Sequence, residues 1–363
     1  MSVLKHKLKQ HQDKLKNLSM RVFKAKSLVL SQRTPYKVIA ELETAQVRYY
    51  AAANKKYTEP LVFVAPLAIN MSIYDLYPYR SQVKYFTDAG FDVYLIDWGK
   101  LTFAHRHLNF LNFINDAIPH CIAQIQQHAK TDQISLHGWS MAGLFVLLYT
   151  ALHQPHAVKN LIVLGSPIDS WASGNIGLLY QKLNALLCRL PKLQQRLYSE
   201  KIPHHFIHSL GLLNALGFKI IDPKGWYDGH KQLLMNLDNP KFIHEHATLG
   251  HFLNHMIDYP GGINQDMLFN IWLQNPLKSG HIKIQQQQID LKNIKCSLMV
   301  GAGISDQMVT AAAVKPLVDL TSSPDVSFQL IPGGHLGLMS NQNSADQFWP
   351  QLKYWLEQRS TLI

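Results

Sequence analysis

Several things are scarce in this sequence. Its 363 residues include 3 cysteines, Cys121, Cys188 and Cys296, widely separated and without a CxxC pair. That excludes a disulfide framework and suggests a reducing compartment. Acidic side chains are few: 24 Asp and Glu stand against 35 Lys and Arg, a formal charge of +11. The surplus favours acidic partners, a phosphate-bearing ligand or an anionic membrane. No nucleic-acid-binding motif accompanies the charge, so nucleic acid is not an expected partner. No run approaches the roughly 18 apolar residues of a membrane span. No apolar core of signal-peptide length follows the N-terminal lysines, so the expected location is cytoplasmic. There are no internal repeats.

What is present is a large apolar fraction, 47% of the residues, enough for one large α/β domain or a core with an inserted cap. Leu61–Ala65, Phe91–Ile96, Gln133–Leu136, Leu161–Gly165 and Ser297–Gly301 read as buried strands. Helical stretches alternate with them: Tyr79–Ala89 ending at Gly90, Phe113–Ala129 broken near its start by Pro119, Met141–Leu152, Ala311–Leu320 and Ala345–Glu357. Val326–Ile331 reads as a further strand, and Tyr36–Glu43 and Gln46–Ala52 as an antiparallel pair. The alternation predicts an α/β fold, a mostly parallel central sheet with helices on both faces. Between about 169 and 285 the rhythm breaks into short helical patterns with prolines and histidines. The expected organisation is a basic N-terminal segment over 1–30, core over 31–168, a mostly helical cap over 169–285, and core again over 286–363.

In the N-terminal segment Leu4, Leu8, Leu15, Leu18 and Val22 fall near one helical face among lysines. Such a helix lies on a membrane or lipid-coated body, or packs loosely on the core as a solvated amphipathic helix. Histidines number 19. His204, His205 and His208, and separately His244, His246, His251 and His255, cluster in the cap. With no HExxH and no paired cysteines, surface or packing histidines are a better reading than structural zinc, and no metal is expected.

The chemistry centres on Gly138-Trp139-Ser140-Met141-Ala142, followed by Gly143. A nucleophile elbow needs small residues two before and two after the serine, because the strand-to-helix turn crowds them. The alternative is a tight turn whose serine merely caps the helix. Asp306 and His335 follow in the order nucleophile, acid, histidine, each on a loop after a predicted strand. His335 would accept the proton of Ser140, and Asp306 would orient the imidazole. Otherwise Asp306 is a helix N-cap and His335 a histidine in a glycine-rich turn. The oxyanion hole would use the N–H of Met141 and one from the loop after Ala65. Pro66 has no N–H, which leaves Leu67 or Ala68. Asp97 and Ser166 also lie just past strand ends, where the sites of such sheets form.

Several separated segments resemble poly(3-hydroxyalkanoate) synthases. They are Phe91-Asp92-Val93-Tyr94-Leu95-Ile96-Asp97-Trp98-Gly99, Gly165-Ser166-Pro167-Ile168-Asp169, Asp290-Leu291-Lys292-Asn293-Ile294 and Pro332-Gly333-Gly334-His335-Leu336-Gly337. The likeness runs from about residue 35 to the end and is strongest for the short, two-subunit class. It implies an α/β-hydrolase-fold acyltransferase that uses 3-hydroxyacyl-coenzyme A, with Ser140 on the nucleophile position, Asp306 on the acid and His335 on the base. It also implies no cofactor beyond a coenzyme A thioester as substrate, and a second subunit or a homodimer. A lipid or storage-granule surface would be met through residues 1–30.

The chain departs from that pattern where the synthases carry a nucleophilic cysteine. A thiolate exchanges readily with a thioester, whereas serine gives an acyl-oxyester. Met141-Ala142-Gly143 lacks the usual paired glycine, and Gly303-Ile304-Ser305-Asp306-Gln307 lacks the family's charged neighbours. The leading expectation is a serine-dependent hydrolase or acyltransferase on (3-hydroxy)acyl esters or coenzyme A thioesters. A genuine polymerase and a non-catalytic lipid- or granule-binding protein are the alternatives.

Overall fold

The computed structural model describes residues 2–67, 69–99, 101–198, 202–221 and 223–363, with side chains outside 2–8, 10 and 218–226. Helix α1 (Ser2–Phe23) leads into an antiparallel pair, β1 (Lys37–Glu41) and β2 (Gln46–Tyr50). The alternating part follows: β3 (Leu61–Val64), α2 (Gln82–Ala89), β4 (Val93–Asp97), α3 (Ile118–Ala129), β5 (Ile134–Trp139), α4 (Met141–His153) and β6 (Val158–Leu164). Seven helices come next: α5 (Gly174–Leu187), α6 (Pro191–Tyr198), α7 (His204–Ile207), α8 (Gly211–Ile221), α9 (Pro223–Met235), α10 (Pro240–Asn254) and α11 (Gly261–Asn264), then a π-helical stretch, Gln265–Leu273. The chain closes with β7 (His281–Ile284), β8 (Gln287–Asp290), β9 (Ser297–Gly303), α12 (Ala311–Val314), α13 (Leu317–Leu320), β10 (Val326–Ile331), α14 (Gly337–Ser340) and α15 (Gln342–Glu357).

Eight strands form one sheet in the order β1-β2-β4-β3-β5-β6-β9-β10. From β4 to β10 every pairing is parallel, and β2 alone runs the other way, antiparallel to both β1 and β4. This is the expected α/β fold. β3 and β5 are buried along their whole length, which is why they read as unbroken apolar runs rather than alternating ones. α4 is buried from Met141 through Ala151, so it shows apolar residues all round instead of a stripe. The parallel order brings the carboxyl ends of β5, β6, β9 and β10 side by side, and the site is built there.

Several local expectations change. α2 starts at Gln82 rather than Tyr79, because the Ser81 hydroxyl accepts from the Lys84 N–H (3.1 Å) and caps the helix. Pro119 does not break its helix. It stands at the seam between a π-helical turn, Asn112–Ala117, and α3, near an end where a missing N–H is tolerated. The stretch 311–320 is two short helices, parted at Pro316, not one. The hairpin β7–β8 spans position 285, and its strands form a separate small sheet.

Entry to and exit from the helical insertion are clasped together. Asn275 Nδ2 donates to Asp169 Oδ1 (2.7 Å), the Ser170 N–H donates to Asn275 Oδ1 (2.8 Å), and Lys278 pairs with Asp169 (3.0 Å). At the N-terminus the expected apolar face of α1 is divided. Leu18 packs with Met20 on a small cluster that includes Leu233 and Ile243, while Leu15 and Val22 face solvent. Leu4 and Leu8 lie outside the described side chains. Among the described residues no helix is long and apolar enough to cross a membrane.

Candidate active site

The strand β5 ends at Trp139 and α4 begins at Met141, so Ser140 must reverse the chain within one residue. It does so at φ +58°, ψ −124°, a conformation that costs a non-glycine residue on the order of 1–3 kcal/mol. The strained peptide is held at both ends. The Ser140 N–H donates to the Leu164 carbonyl (2.8 Å), and the Ser166 hydroxyl donates to the Ser140 carbonyl (2.7 Å). A Cβ on Gly138 would run into the Ala142 carbonyl, and one on Gly143 into the Ser166 hydroxyl. The crowding that the sequence implied at 138 is therefore that of a side chain there against the backbone of residues 142 and 143.

Ser140 makes no capping hydrogen bond to α4. Its Oγ lies 2.8 Å from His335 Nε2, and His335 Nδ1 lies 2.7 Å from Asp306 Oδ2. Asp306 sits three residues past β9 and His335 four past β10, so two neighbouring strands deliver them to the elbow. The side chains of His335 and Asp306 are 9% and 0% exposed. In so dry a setting a carboxylate needs its lone pairs filled. The second oxygen, Oδ1, accepts from the N–H groups of Met308 and Val309, both at 2.9 Å. Asp306 thus closes its own turn while partnering His335; it is not the N-cap of the following helix, α12, a role taken by Thr310. The indole of Trp139 lies against the imidazole of His335, ring centres 5.2 Å apart.

Met141 is the first residue of α4, where an N–H has no partner within its own helix and points toward an approaching anion. Leu67, buried on the loop after β3, borders the same space. Ala68, the other expected donor, lies outside the described residues. Ser140, His335, Met141 and Leu67 all line one cavity of about 190 Å3. Its remaining wall is apolar: Met308 and Val309 come from the core, and Tyr259, Met267 and Trp272 from the helical insertion.

Tyr259 escaped the sequence reading, since it belongs to no motif. Its hydroxyl is 3.1 Å from Met141 Sδ, and burial raises its pKa far above the usual phenol value, so it stays a donor. The only signal for it was the turn-forming Pro260-Gly261-Gly262 that follows. Asp97 does not join the site. It is committed to Arg48 (2.6 Å) and Gln46 (2.8 Å). Ser166 serves the elbow as a buttress. None of the three cysteines borders the cavity.

Among the described residues no group of three or more His, Cys, Asp or Glu could hold a metal ion. The cap histidines have other partners. His208 faces Asp258 (3.2 Å), His244 meets the Leu28 carbonyl (2.9 Å), and His251 and His255 stack at 3.9 Å. Burial, with Arg21 and His230 nearby, pushes His246 down to about 4.

Residues 69–255 match the family model of the alpha/beta hydrolase fold. The chain is 27% identical over 340 residues to the poly(3-hydroxyalkanoate) polymerase subunit PhaC of Haloferax mediterranei, covering 90% of this chain. It spans 65% of that relative's length. To the PhaC subunit of Allochromatium vinosum it is 27% identical over 300 residues, covering 83% of this chain and 81% of the relative. Among solved structures, the monoacylglycerol lipase of Paleococcus ferrophilus superposes with a TM-score of 0.50 at 16% identity, over 84% of this chain and 98% of the lipase, a likeness of fold alone. The resemblance to polyhydroxyalkanoate synthases therefore extends over most of the sequence, and the chain belongs to the alpha/beta hydrolase fold family.

Proposed function

We propose that the chain is a serine acyl enzyme, a hydrolase or small-acceptor acyltransferase, acting on (3-hydroxy)acyl esters or coenzyme A thioesters. The observation that carries this reading is the continuous relay from Ser140 Oγ through His335 to Asp306, at 2.8 and 2.7 Å. His335 Nε2 takes the serine proton as Oγ attacks the acyl carbonyl, and Asp306 stabilises the resulting imidazolium. The N–H groups of Met141 and Leu67 receive the oxyanion. The tetrahedral intermediate collapses with the proton passing from His335 to the departing alcohol or thiol. Water or an alcohol then attacks the acyl-serine by the same path. No cofactor is needed for these steps.

A serine-reactive phosphonate tests the reading. Stoichiometric labelling of the wild type and none of Ser140→Ala is expected; equal labelling of both, or none of the wild type, removes Ser140 as nucleophile and returns the non-catalytic binding protein.

The polymerase reading is kept because the curated relatives are polymerase subunits. The relatives' description as subunits also supports a second subunit or a homodimer, and the basic α1 supports contact with a lipid or granule surface. An acyl-oxyester at Ser140 favours release to water over repeated thioester exchange. Incubation with 3-hydroxybutyryl-coenzyme A, with free thiol and polymer measured together, separates the two. Thiol without polymer is expected, and polymer in proportion to thiol would make the chain a synthase.

A further inference from the structure

The outer side of the first two insertion helices carries a surface that the acyl chemistry does not use. One face of α5 is docked: Gly177 is buried, and the ring of Tyr180 lies 5.5 Å from that of Trp272, which lines the cavity. The opposite face presents Leu179, Leu183 and Leu186 to solvent at 56%, 41% and 54% exposure. Leu190 and Leu193 extend this apolar strip into α6. The two helices are packed as a hairpin, tied by Tyr198 Oη to Asn184 Oδ1 (2.9 Å). An apolar strip of this kind on a monomer marks an interaction surface.

Its charge selects the partner. From Ser170 to Tyr198 the chain has Lys182, Arg189, Lys192 and Arg196 and not one Asp or Glu. All four cations are exposed. A second copy placed face to face would set like charges opposite one another, which disfavours self-association through this face. A surface that is apolar inside and anionic outside answers both features: leucines enter the acyl boundary while lysines and arginines meet the headgroups. We propose that the α5–α6 hairpin docks the protein on an anionic lipid surface. The other face of the same helix meets the wall of the cavity through the ring contact of Tyr180 with Trp272. The inference does not depend on the role of Ser140.

The test uses the full chain and vesicles of phosphatidylcholine with and without phosphatidylglycerol. Cys188, exposed at the bend of the hairpin, accepts an environment-sensitive thiol fluorophore. Cys121 is buried, and burial raises the Cys296 thiol to about 11, so neither competes well. A blue shift on adding the anionic vesicles is expected, weaker in high salt and absent with phosphatidylcholine alone. Co-sedimentation of the L179Q/L183Q/L186Q variant should show at least a tenfold loss of partitioning. An unchanged emission spectrum in wild-type protein overturns the proposal, even if that variant fails to fold. So does a folded variant that sediments like the wild type. A concentration-dependent dimer lost in the variant, with no vesicle binding in either, would assign the face to a second copy instead.

Discussion

The elbow and the helical insertion meet at one cavity and are built on opposite terms. On the core side each polar group of the relay has a fixed partner. Both oxygens of Asp306 are occupied, the Ser140 carbonyl is held by Ser166, and the strands beneath are wholly buried. On the insertion side α5 buries little beyond Gly177 and leaves its leucines in solvent, yet Tyr259, Met267 and Trp272 close the cavity. Groups that move protons must be held within a fraction of an ångström, and strand ends do that; groups that only shape a pocket need not be. Changes in the core should therefore abolish turnover of every substrate, and changes in the insertion should alter which substrate is turned over.

The largest effect tests the core half of that contrast. Ser140→Ala should lower kcat by on the order of 10^5-fold or more on any ester, measured with p-nitrophenyl butyrate against protein that keeps its thermal midpoint. Asp306→Asn should follow, with a loss of about 10^4-fold. Asparagine retains a carbonyl oxygen for the Met308 and Val309 N–H groups, so circular dichroism should show an unaltered fold. If either variant lost activity on some acyl chains and not others, the division between core and insertion would be broken.

That division also explains what could be read from the sequence. The sheet, its parallel order and the three residues Ser140, Asp306 and His335 were legible because each is tied to local chemistry: a buried strand, a turn of small residues, a loop at a strand end. The segments resembling the synthases turn out to be largely scaffold. Asp169 clasps the insertion, Asp97 pairs with Arg48, and the Asn293 amide donates to the Ala151 carbonyl at the end of α4 (3.1 Å). Tyr259, Met267 and Trp272 were not legible. Their positions follow from how helices far apart in the chain pack over the elbow, and no local pattern encodes that. The divided face of α1 has the same cause, since tertiary packing chose Leu18 and left Leu15 outside.

Trp272→Ala probes the insertion half. Trp272 is 9% exposed and walls a cavity of about 190 Å3, so removal of its indole should admit longer acyl chains. A pocket discriminates by roughly 10- to 200-fold per methylene. The ratio of kcat/KM for octanoyl over butyryl ester should therefore rise at least tenfold, with Ser140 still labelled by phosphonate. An unchanged chain-length profile would place the acyl group elsewhere.

His137 sharpens the contrast through stability rather than rate. It sits in β5 between Phe63 and Tyr74 with neither ring nitrogen hydrogen-bonded, and burial pushes it down to about 3. The unfolded chain binds a proton near pH 6.5 and the folded one does not. Stability is therefore full above that pH and is lost as pH falls toward 3, by about 1.4 kcal/mol per unit. His246 titrates in the same direction, so the wild type must be compared with His137→Leu. Between pH 6.5 and 4.5 the wild type should lose roughly 2–3 kcal/mol more in urea denaturation. Equal losses would mean that the buried imidazole finds a partner on protonation.

The smallest effect lies where the two regions touch. The Tyr259 hydroxyl comes from the insertion, and its acceptor, Met141 Sδ, belongs to the residue whose N–H would receive the oxyanion. A thioether is a weak acceptor, so the phenol gives up little when a substrate oxygen replaces it. Tyr259→Phe removes only that donor and keeps the ring. One neutral hydrogen bond contributes about 0.5–1.5 kcal/mol, or about a 2- to 12-fold change. If the phenol meets a hydroxyl on the acyl chain, the ratio of kcat/KM for 3-hydroxybutyryl over butyryl ester should fall by that factor. If it meets the oxyanion, both esters should slow together and the ratio should stay constant. In that case Tyr259 belongs with the core's chemistry in spite of its origin, and the boundary between reacting groups and pocket walls runs through the insertion itself.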